Sequence, residues 1–203
     1  MTQEGIAQDP ASRGGDTAAR QRLLEASYEL FSRQGINAVG IDRIVAEAGV
    51  AKMTLYRHFS SKEQLVLAFL QMRERRWTHE WLQGEIERRA QEPAERLLAT
   101  FDALSDWFAR RDFEGCPFLR TLLEVSRGSA IHDAAIVHLA TVRALLAAYA
   151  RQAGAADPED LSRNLELLML GAIASASKGD RAAARRARPI AQALVARAVS
   201  VGP

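Results

Sequence analysis

Hydrophobic residues recur along most of this chain at the spacing of an α-helix, and no stretch alternates with period two for long enough to predict a strand. The first helical pattern starts at the capping residues Asp16 and Thr17 and ends at Gly35. One face of this helix is predicted to carry Leu24, Ser27, Tyr28 and Phe31. The polar segment before it, residues 1–15, is predicted to be a disordered tail.

Two short helical patterns, 41–48 and 52–59, follow the first. Gly49 ends the earlier one, and only a tight turn separates the two. Leu55 and Phe59, four residues apart, form the inner face of the later one. A short helix, a glycine, a tight turn and a second short helix are typical of a helix-turn-helix motif. An ordinary pair of short helices in an all-α core has the same periodicity, so both interpretations stay open on periodicity alone.

The rest of the chain predicts six longer helices separated by glycine and proline. Their expected spans are 62–90, 93–111, 116–128, 131–153, 158–178 and 181–200. Pro189 lies inside the last pattern and predicts a kink or a split helix there. The sequence therefore predicts an all-α protein of about nine helices. An N-terminal three-helix domain would occupy residues 16–61, and a larger helical domain residues 62–203.

Composition limits the classes of protein without naming one. The 203 residues are 48% hydrophobic and 26% charged, and the single cysteine, Cys116, excludes an internal disulfide and a cysteine-built zinc site. A net charge of +2 does not by itself predict nucleic-acid binding, so that function has to be argued residue by residue. The longest strongly apolar stretch, 165–176, is about half a membrane span. We therefore expect a cytoplasmic protein that does not enter a membrane.

A specific motif lies at 54–65, where the chain reads TLYRHFSSKEQL. This string resembles the signature that joins helices 3 and 4 in the tetracycline-repressor-type (TetR) transcriptional regulators, and the similarity extends over residues 17–68. The resemblance implies a ligand-responsive DNA-binding regulator that represses by binding a palindromic operator as a homodimer and is released by a small, largely apolar inducer. The alternative is an all-α small-molecule-binding or interaction module that does not regulate DNA directly.

The outward face of the second short helix supplies the first candidate DNA contacts. Arg and Lys side chains in the major groove donate to guanine O6 and N7, and an apolar group can contact a thymine methyl. We expect Lys52, Met53 and Arg57 near base edges. The other candidates, several of which match phosphate-contacting positions of the family, are Thr17, Arg43, Thr54, Tyr56, His58 and Lys62. The alternative for each charged residue is an ordinary solvated surface position.

Three residues depart from the family pattern. Gly40 stands where the family commonly has Thr or Ser, Ala51 where it commonly has Ser, and Met53 where it often has a small residue. Glycine can still cap a helix but contributes no side-chain contact to phosphate. We expect the fold to tolerate these changes and base recognition to differ from that of relatives.

The resemblance also implies that the last two helices form the dimer interface and that the middle helices bind the inducer. The interface candidates are Leu165, Leu168, Ala172, Ile190, Leu194 and Ala198. The alternative is a buried central helix in a monomer. Candidates for the ligand site are Trp81, Phe101, Leu104, Trp107, Phe108, Phe118, Leu122, Glu124 and His138. These aromatic stripes could equally be core packing; a pocket built from them would suit a hydrophobic or aromatic molecule.

No sequence motif supports catalysis. The chain has no H-E-x-x-H, no G-x-S-x-G and no glycine-rich phosphate loop, so we expect neither an enzyme nor a bound metal or cofactor. Cys116, between Gly115 and Pro117, allows two interpretations. It could be a redox-sensitive thiol at a helix start, or part of a structural turn that opens the helix.

Overall fold

A computed structural model describes the backbone of residues 10–200 and the side chains of residues 16–200. Within that range the protein is all-helical, as predicted, with nine helices and no strand. The fourth helix, α4, is α-helical over Lys62–Glu74, π-helical over Arg75–Gln83 and α-helical again over Gly84–Arg89. The others are α1 (Pro10–Gln34), α2 (Ile41–Ala48), α3 (Lys52–His58), α5 (Pro93–Ala109), α6 (Pro117–Glu124), α7 (Ala130–Gln152), α8 (Pro158–Ser177) and α9 (Ala183–Val199).

Two helices differ from their predicted spans. Helix α1 begins at Pro10, before the expected start at Asp16; proline suits a first helical turn because its φ is fixed and its missing N–H needs no partner there. Residues 1–9 of the predicted tail lie outside the described residues. Helix α9 continues through Pro189 without splitting. Pro189 and Arg185, whose carbonyl loses its helical donor, are both on the exposed side, where water can replace the bond.

The chain divides into two compact units, the first ending at Phe69 and the second beginning at Leu70. The division falls inside α4 because the first turns of that helix belong to the first core. There the Phe69 ring packs edge-on against Phe31, with 5.3 Å between centroids. Other buried residues of the first unit include Leu23, Leu24, Val39, Ile44, Leu55, Phe59, Leu65 and Val66.

The turn between α2 and α3 depends on Gly49. This residue has φ of 60°, a left-handed conformation in which a side chain is strained, although a Cβ there would meet no atom within 4 Å. Its N–H donates to the carbonyl of Ala46, and the N–H of Val50 donates to that of Val45. These bonds end α2 and allow α3 to begin at Lys52.

The second unit is built from α5–α9 and the second part of α4. Helix α5 packs against α9 and α7, α8 packs against α7 and α9, and α6 packs against α7. Three tryptophans meet in its core, with Trp77 and Trp107 centroids 5.0 Å apart and those of Trp77 and Trp81 5.6 Å apart. The π-helical segment carries Trp77 and Trp81, so its geometry sets how both rings enter this cluster.

Helix α7 is long and apolar enough, among the described residues, to span a membrane by length and hydropathy alone. Its packing supports the other explanation, a core helix. Ala135, Val142, Leu146 and Ala150 are each at most 1% exposed, within a unit where α7 contacts three other helices. One such helix is weak evidence for a membrane protein.

Candidate nucleic-acid interface and ligand-binding site

Helix α3 has one buried face and one exposed face. Leu55 and the following Phe59 are 0% and 4% exposed and pack into the core of the first unit. Met53 is 77% exposed and Tyr56 43% exposed, and Lys52 and Arg57 also face solvent. The candidates for base-edge contact therefore share the outward face, as a reading helix requires.

The remaining interface candidates are less uniform. Thr17 and Arg43 are exposed, and Thr54 and Lys62 are half-buried. Lys62 opens α4, where Ser61 Oγ accepts the N–H of Gln64, and the Gln64 side chain accepts the N–H of Ser60.

His58 differs from the other candidates because its side chain is only 8% exposed. The structure therefore buries a residue expected at phosphate, and a direct contact would need its ring to turn outward. Its contact with phosphate stays a prediction.

The residues that depart from the family pattern leave two helices without a side-chain cap. Gly40 and Ala51 occupy the N-cap positions of α2 and α3 in extended conformation, and neither supplies a side-chain acceptor. The first-turn N–H groups of α2 accordingly have no capping side chain in front of them. Such groups can donate to phosphate oxygens.

Acidic residues accompany the basic ones on this surface. Residues 16–62 contain seven Lys or Arg and five Asp or Glu. Lys52 Nζ lies 2.7 Å from Asp42 Oδ1, and Arg57 Nη2 lies 2.6 Å from Asp16 Oδ1. The hydrogen bond to Asp42, supported by its charge, raises the pKa of Lys52. From the sequence, Asp16 is expected only as a helix cap, and no role is expected for Asp42. The ion pairs Lys52–Asp42 and Arg57–Asp16 could not be predicted, because each joins residues of two different helices.

The comparisons with known proteins agree with this geometry. Residues 23–69 match the family model described as bacterial regulatory proteins, tetR family, and residues 93–191 match that of the tetracyclin repressor-like C-terminal domain. SCO4454, a TetR-family transcriptional regulator from Streptomyces coelicolor, is 28% identical with a TM-score of 0.80 over 90% of this chain and 97% of that one. The sav143 protein of Streptomyces avermitilis, described as a TetR transcriptional regulator, is 30% identical with a TM-score of 0.79 over 89% and 97%.

The chain belongs to the TetR family. It is therefore a helix-turn-helix, DNA-binding transcriptional regulator, and the predictions of a regulator and of a non-enzyme are confirmed. Among curated relatives, the transcriptional activator FasR of Mycolicibacterium smegmatis is 52% identical over 52 residues, 26% of this chain and 24% of FasR. The uncharacterized regulator Rv1255c of Mycobacterium tuberculosis is 33% identical over 100 residues, 44% and 48% of the two chains. The matched segments thus cover less than half of the length of each of these two relatives.

The ligand candidates of this TetR-family protein fall into two groups. Four belong to the main core of the second unit, where Trp81 also packs: Phe101, Leu104, Trp107 and Phe108. The others lie on α6 and α7: Phe118, Leu122, Glu124 and His138. Of this second group, Phe118 and His138 stack with nearly parallel rings, 3.3 Å between centroids and 6° between planes.

Among the described residues of the second unit, three buried side-chain polar atoms have no hydrogen-bond partner. They are Trp77 Nε1, Thr78 Oγ1 and His138 Nδ1; Thr78 is 0% and His138 1% exposed. Glu74 Oε2 is 4.0 Å from His138 Nδ1, too far for a hydrogen bond. Thr78 could not have been singled out from sequence, since its burial depends on the π-helical course of α4. Buried polar groups without partners are uncommon and call for an explanation.

The interface candidates are mostly not on the surface. Their place at a dimer interface stays a prediction, but Leu165 and Ala172 lie in the core of their own unit, at 0% and 5% exposure. The reason is that α8 has two apolar stripes, and this one faces α7 and α9. Partly buried against the same core are Leu168, Leu194 and Ala198. Leu167 and Ile190, 72% and 53% exposed, form the outward apolar surface instead.

Cys116 lies in a turn that the structure needs for packing. Gly115 has φ of 83°, and a Cβ on it would lie 2.7 Å from Ser177 Oγ, so only glycine fits. Burial raises the pKa of the Cys116 thiol, although backbone N–H groups of Leu119 and Phe118 oppose the shift. A protonated thiol is a poor nucleophile, which favours the structural interpretation of this turn.

Replacing His138 by Phe is expected to reduce acid sensitivity. Burial, helped by Arg73 and His79, lowers the pKa of His138 from 6.5 to about 3. Between these two pKa values the His138 ring is protonated in the unfolded chain and neutral in the folded one. Protonation therefore favours unfolding: the free energy of unfolding has its full value above about pH 6.5 and falls as the pH drops towards 3. The decrease in the free energy of unfolding between pH 7 and pH 5 should be about 2 kcal/mol smaller in His138→Phe than in the wild-type protein.

Urea unfolding followed by tryptophan fluorescence measures this, because all three tryptophans lie in the same unit as His138. His132→Gln, which keeps His138, is the control and should retain the wild-type pH dependence. An equal fall in wild type and His138→Phe would contradict a buried neutral histidine.

Proposed function

We propose that the protein binds a palindromic operator as a homodimer, with α3 of each subunit in the major groove. The observation that carries this is the outward face of α3, where Lys52, Met53 and Arg57 project from a helix anchored by Leu55. A single seven-residue helix contacts few base pairs, so two copies related by a two-fold axis are needed for a specific site.

We further propose that the bound protein represses transcription and is released by a small ligand. Repression and ligand response are typical of the family. The FasR match carries the name of an activator, so the direction of regulation needs its own measurement with a reporter gene. A ligand releases the operator only if it binds the non-binding conformation more tightly than the binding one.

The ligand is proposed to be neutral and aromatic, with one or two polar groups. The tryptophan cluster around Trp77 supplies an apolar surface, and the partnerless Thr78 Oγ1 and His138 Nδ1 supply positions for hydrogen bonds. His138 is neutral at physiological pH because burial lowers its pKa, so it contributes no charge to attract an anion. Apolar walls with a few directed polar groups are typical of small-molecule sites.

The dimer is proposed to form through the outward faces of α8 and α9. Leu167 and Ile190 border a groove of about 300 Å³ whose lining includes the small residues Gly171 and Ser175. Small residues let helices approach closely, and the exposed apolar side chains gain by burial. Leu168 and Ala172 also line this groove.

A ligand-binding module without direct DNA regulation is the less favoured function, because the match over residues 23–69 is to a DNA-binding regulator. A cytoplasmic location is proposed, since the protein's partner is chromosomal DNA.

Substituting Arg57 by Ala is expected to weaken operator binding by about 1–3 kcal/mol and to relax base preference at one position, because an arginine that reads guanine is lost. The operator is first selected from a random duplex library with the wild-type protein, and affinity is then measured by fluorescence anisotropy. Arg33→Ala, which removes an exposed arginine paired with Glu29 on α1, is the matched control and should bind nearly as wild type. Wild-type affinity and base preference in Arg57→Ala would exclude Arg57 from recognition.

A charge at Leu167 is expected to produce monomers, because burying an unpaired arginine in an apolar interface is costly. Sedimentation velocity at a fixed protein concentration measures the change. Leu123→Arg is the control: Leu123 is an 83% exposed leucine on α6, outside the proposed interface, and its variant should remain dimeric. A dimeric Leu167→Arg would contradict the interface.

Replacing Thr78 by Val is expected to weaken binding of a neutral aromatic probe such as Nile red by about two- to tenfold, the effect of one lost hydrogen bond. Quenching of tryptophan emission by the dye gives the affinity. Thr141→Val is the control, since the Thr141 hydroxyl is satisfied by the carbonyl of Val137 on α7. Equal affinities for the dye in the wild type, Thr78→Val and Thr141→Val would contradict a role for Thr78. An absence of saturable quenching in the wild type would contradict the proposed ligand site.

A further inference from the structure

The lysine and the arginine of α3 are each paired with a carboxylate from another helix. Asp42 of α2 pairs with Lys52, and Asp16 of α1 pairs with Arg57. The pairs are not buried, because the side chains of Lys52 and Arg57 remain 53% and 62% exposed. Each cation therefore faces solvent with an anion against one of its sides.

The pairing leaves donors free for DNA. A guanidinium has five N–H donors in a rigid plane, and a single carboxylate such as Asp16, 2.6 Å from Nη2 of Arg57, engages two of them even in a bidentate pair. Guanine presents O6 and N7 together in the major groove, which matches two parallel N–H groups. Arg57 can thus keep its carboxylate and still donate to a base edge. Lys52 similarly has three donors and one carboxylate partner.

The same pairing acts against contacts with phosphate. Phosphate attracts a cation from any direction and accounts for most non-specific binding. A cation that swings toward a neighbouring phosphate would have to leave its carboxylate, and the carboxylate itself is repelled by the DNA backbone. Contacts in the base-reading direction keep the pair, so they do not carry this cost.

We propose that Asp16 and Asp42 are positioning residues that set sequence discrimination: they hold Arg57 and Lys52 toward base edges and withhold them from phosphates. The proposal rests on the proposed reading role of α3. It goes beyond that role because neither aspartate needs to contact DNA. His58 Nε2 lies 3.2 Å from the same oxygen of Asp16 but makes no hydrogen bond to it.

The test compares Asp16→Asn and Asp42→Asn with wild type on two fluorescent duplexes of equal length at the same salt concentration. One is the duplex selected by the wild-type protein, and the other has mixed sequence. Each substitution should raise the affinity for the mixed-sequence duplex. The affinity for the selected duplex should rise by a smaller factor or fall. The ratio of the two affinities should fall by about two- to fivefold, the range for a surface ion pair.

Glu47→Gln is the matched control. Glu47 is exposed on the same helix as Asp42 and holds neither Lys52 nor Arg57, so its substitution removes the same charge without a pairing. It should change both affinities by the same factor. Asp16→Asn introduced into an Arg57→Ala background should leave the ratio as it is in Arg57→Ala alone, because a positioning residue has no effect without the residue it positions.

The outcomes separate the two proposals. If both aspartate variants change the two affinities equally, as Glu47→Gln does, positioning is overturned, while a loss of operator affinity in Arg57→Ala would retain the reading role. If Arg57→Ala and Lys52→Ala both bind the selected duplex as wild type does, the reading role fails and the positioning role fails with it. Thermal unfolding of each variant confirms that the exposed substitutions leave the fold intact.

Discussion

The anchoring of α3 by Leu55 and Phe59 is the constraint on which the DNA-binding unit depends. Their burial fixes which face of a seven-residue helix points outward, and a helix this short has little stability of its own. Gly49 contributes equally, since its left-handed φ turns the chain so that α3 can bring those two side chains into the core. The outward positions of Lys52 and Arg57 follow from this packing rather than from any excess of positive charge.

Local charge placement, not net charge, distinguishes this surface. A chain with a net charge of +2 cannot attract DNA strongly at long range, and its reading helix is paired with carboxylates. Such a surface favours discrimination over general affinity for nucleic acid. The cationic side chains contribute where acceptors lie in the right direction, which is how a weakly charged regulator can be selective.

The sequence predicted what depends on neighbours along the chain. Periodicity and Gly49 gave the bounds of α2 and α3 nearly to the residue, and a twelve-residue motif indicated the family. It did not predict contacts that only tertiary packing creates. The π-helical course of α4 has no sequence signal, the partners of Lys52 and Arg57 come from other helices, and α8 carries two apolar stripes of similar quality. Packing against α7 and α9 buries one stripe, with Leu165, and leaves the other, with Leu167, exposed.

Two reading helices related by symmetry are the central claim of the account, and methylation interference on the selected operator tests it most directly. Methylating guanine N7 blocks the major-groove acceptor that Arg57 is proposed to use. Two symmetric groups of sensitive guanines are expected, with centres about one helical turn or a small multiple apart. A single group, or sensitivity confined to minor-groove adenine N3, would contradict recognition by a pair of α3 helices.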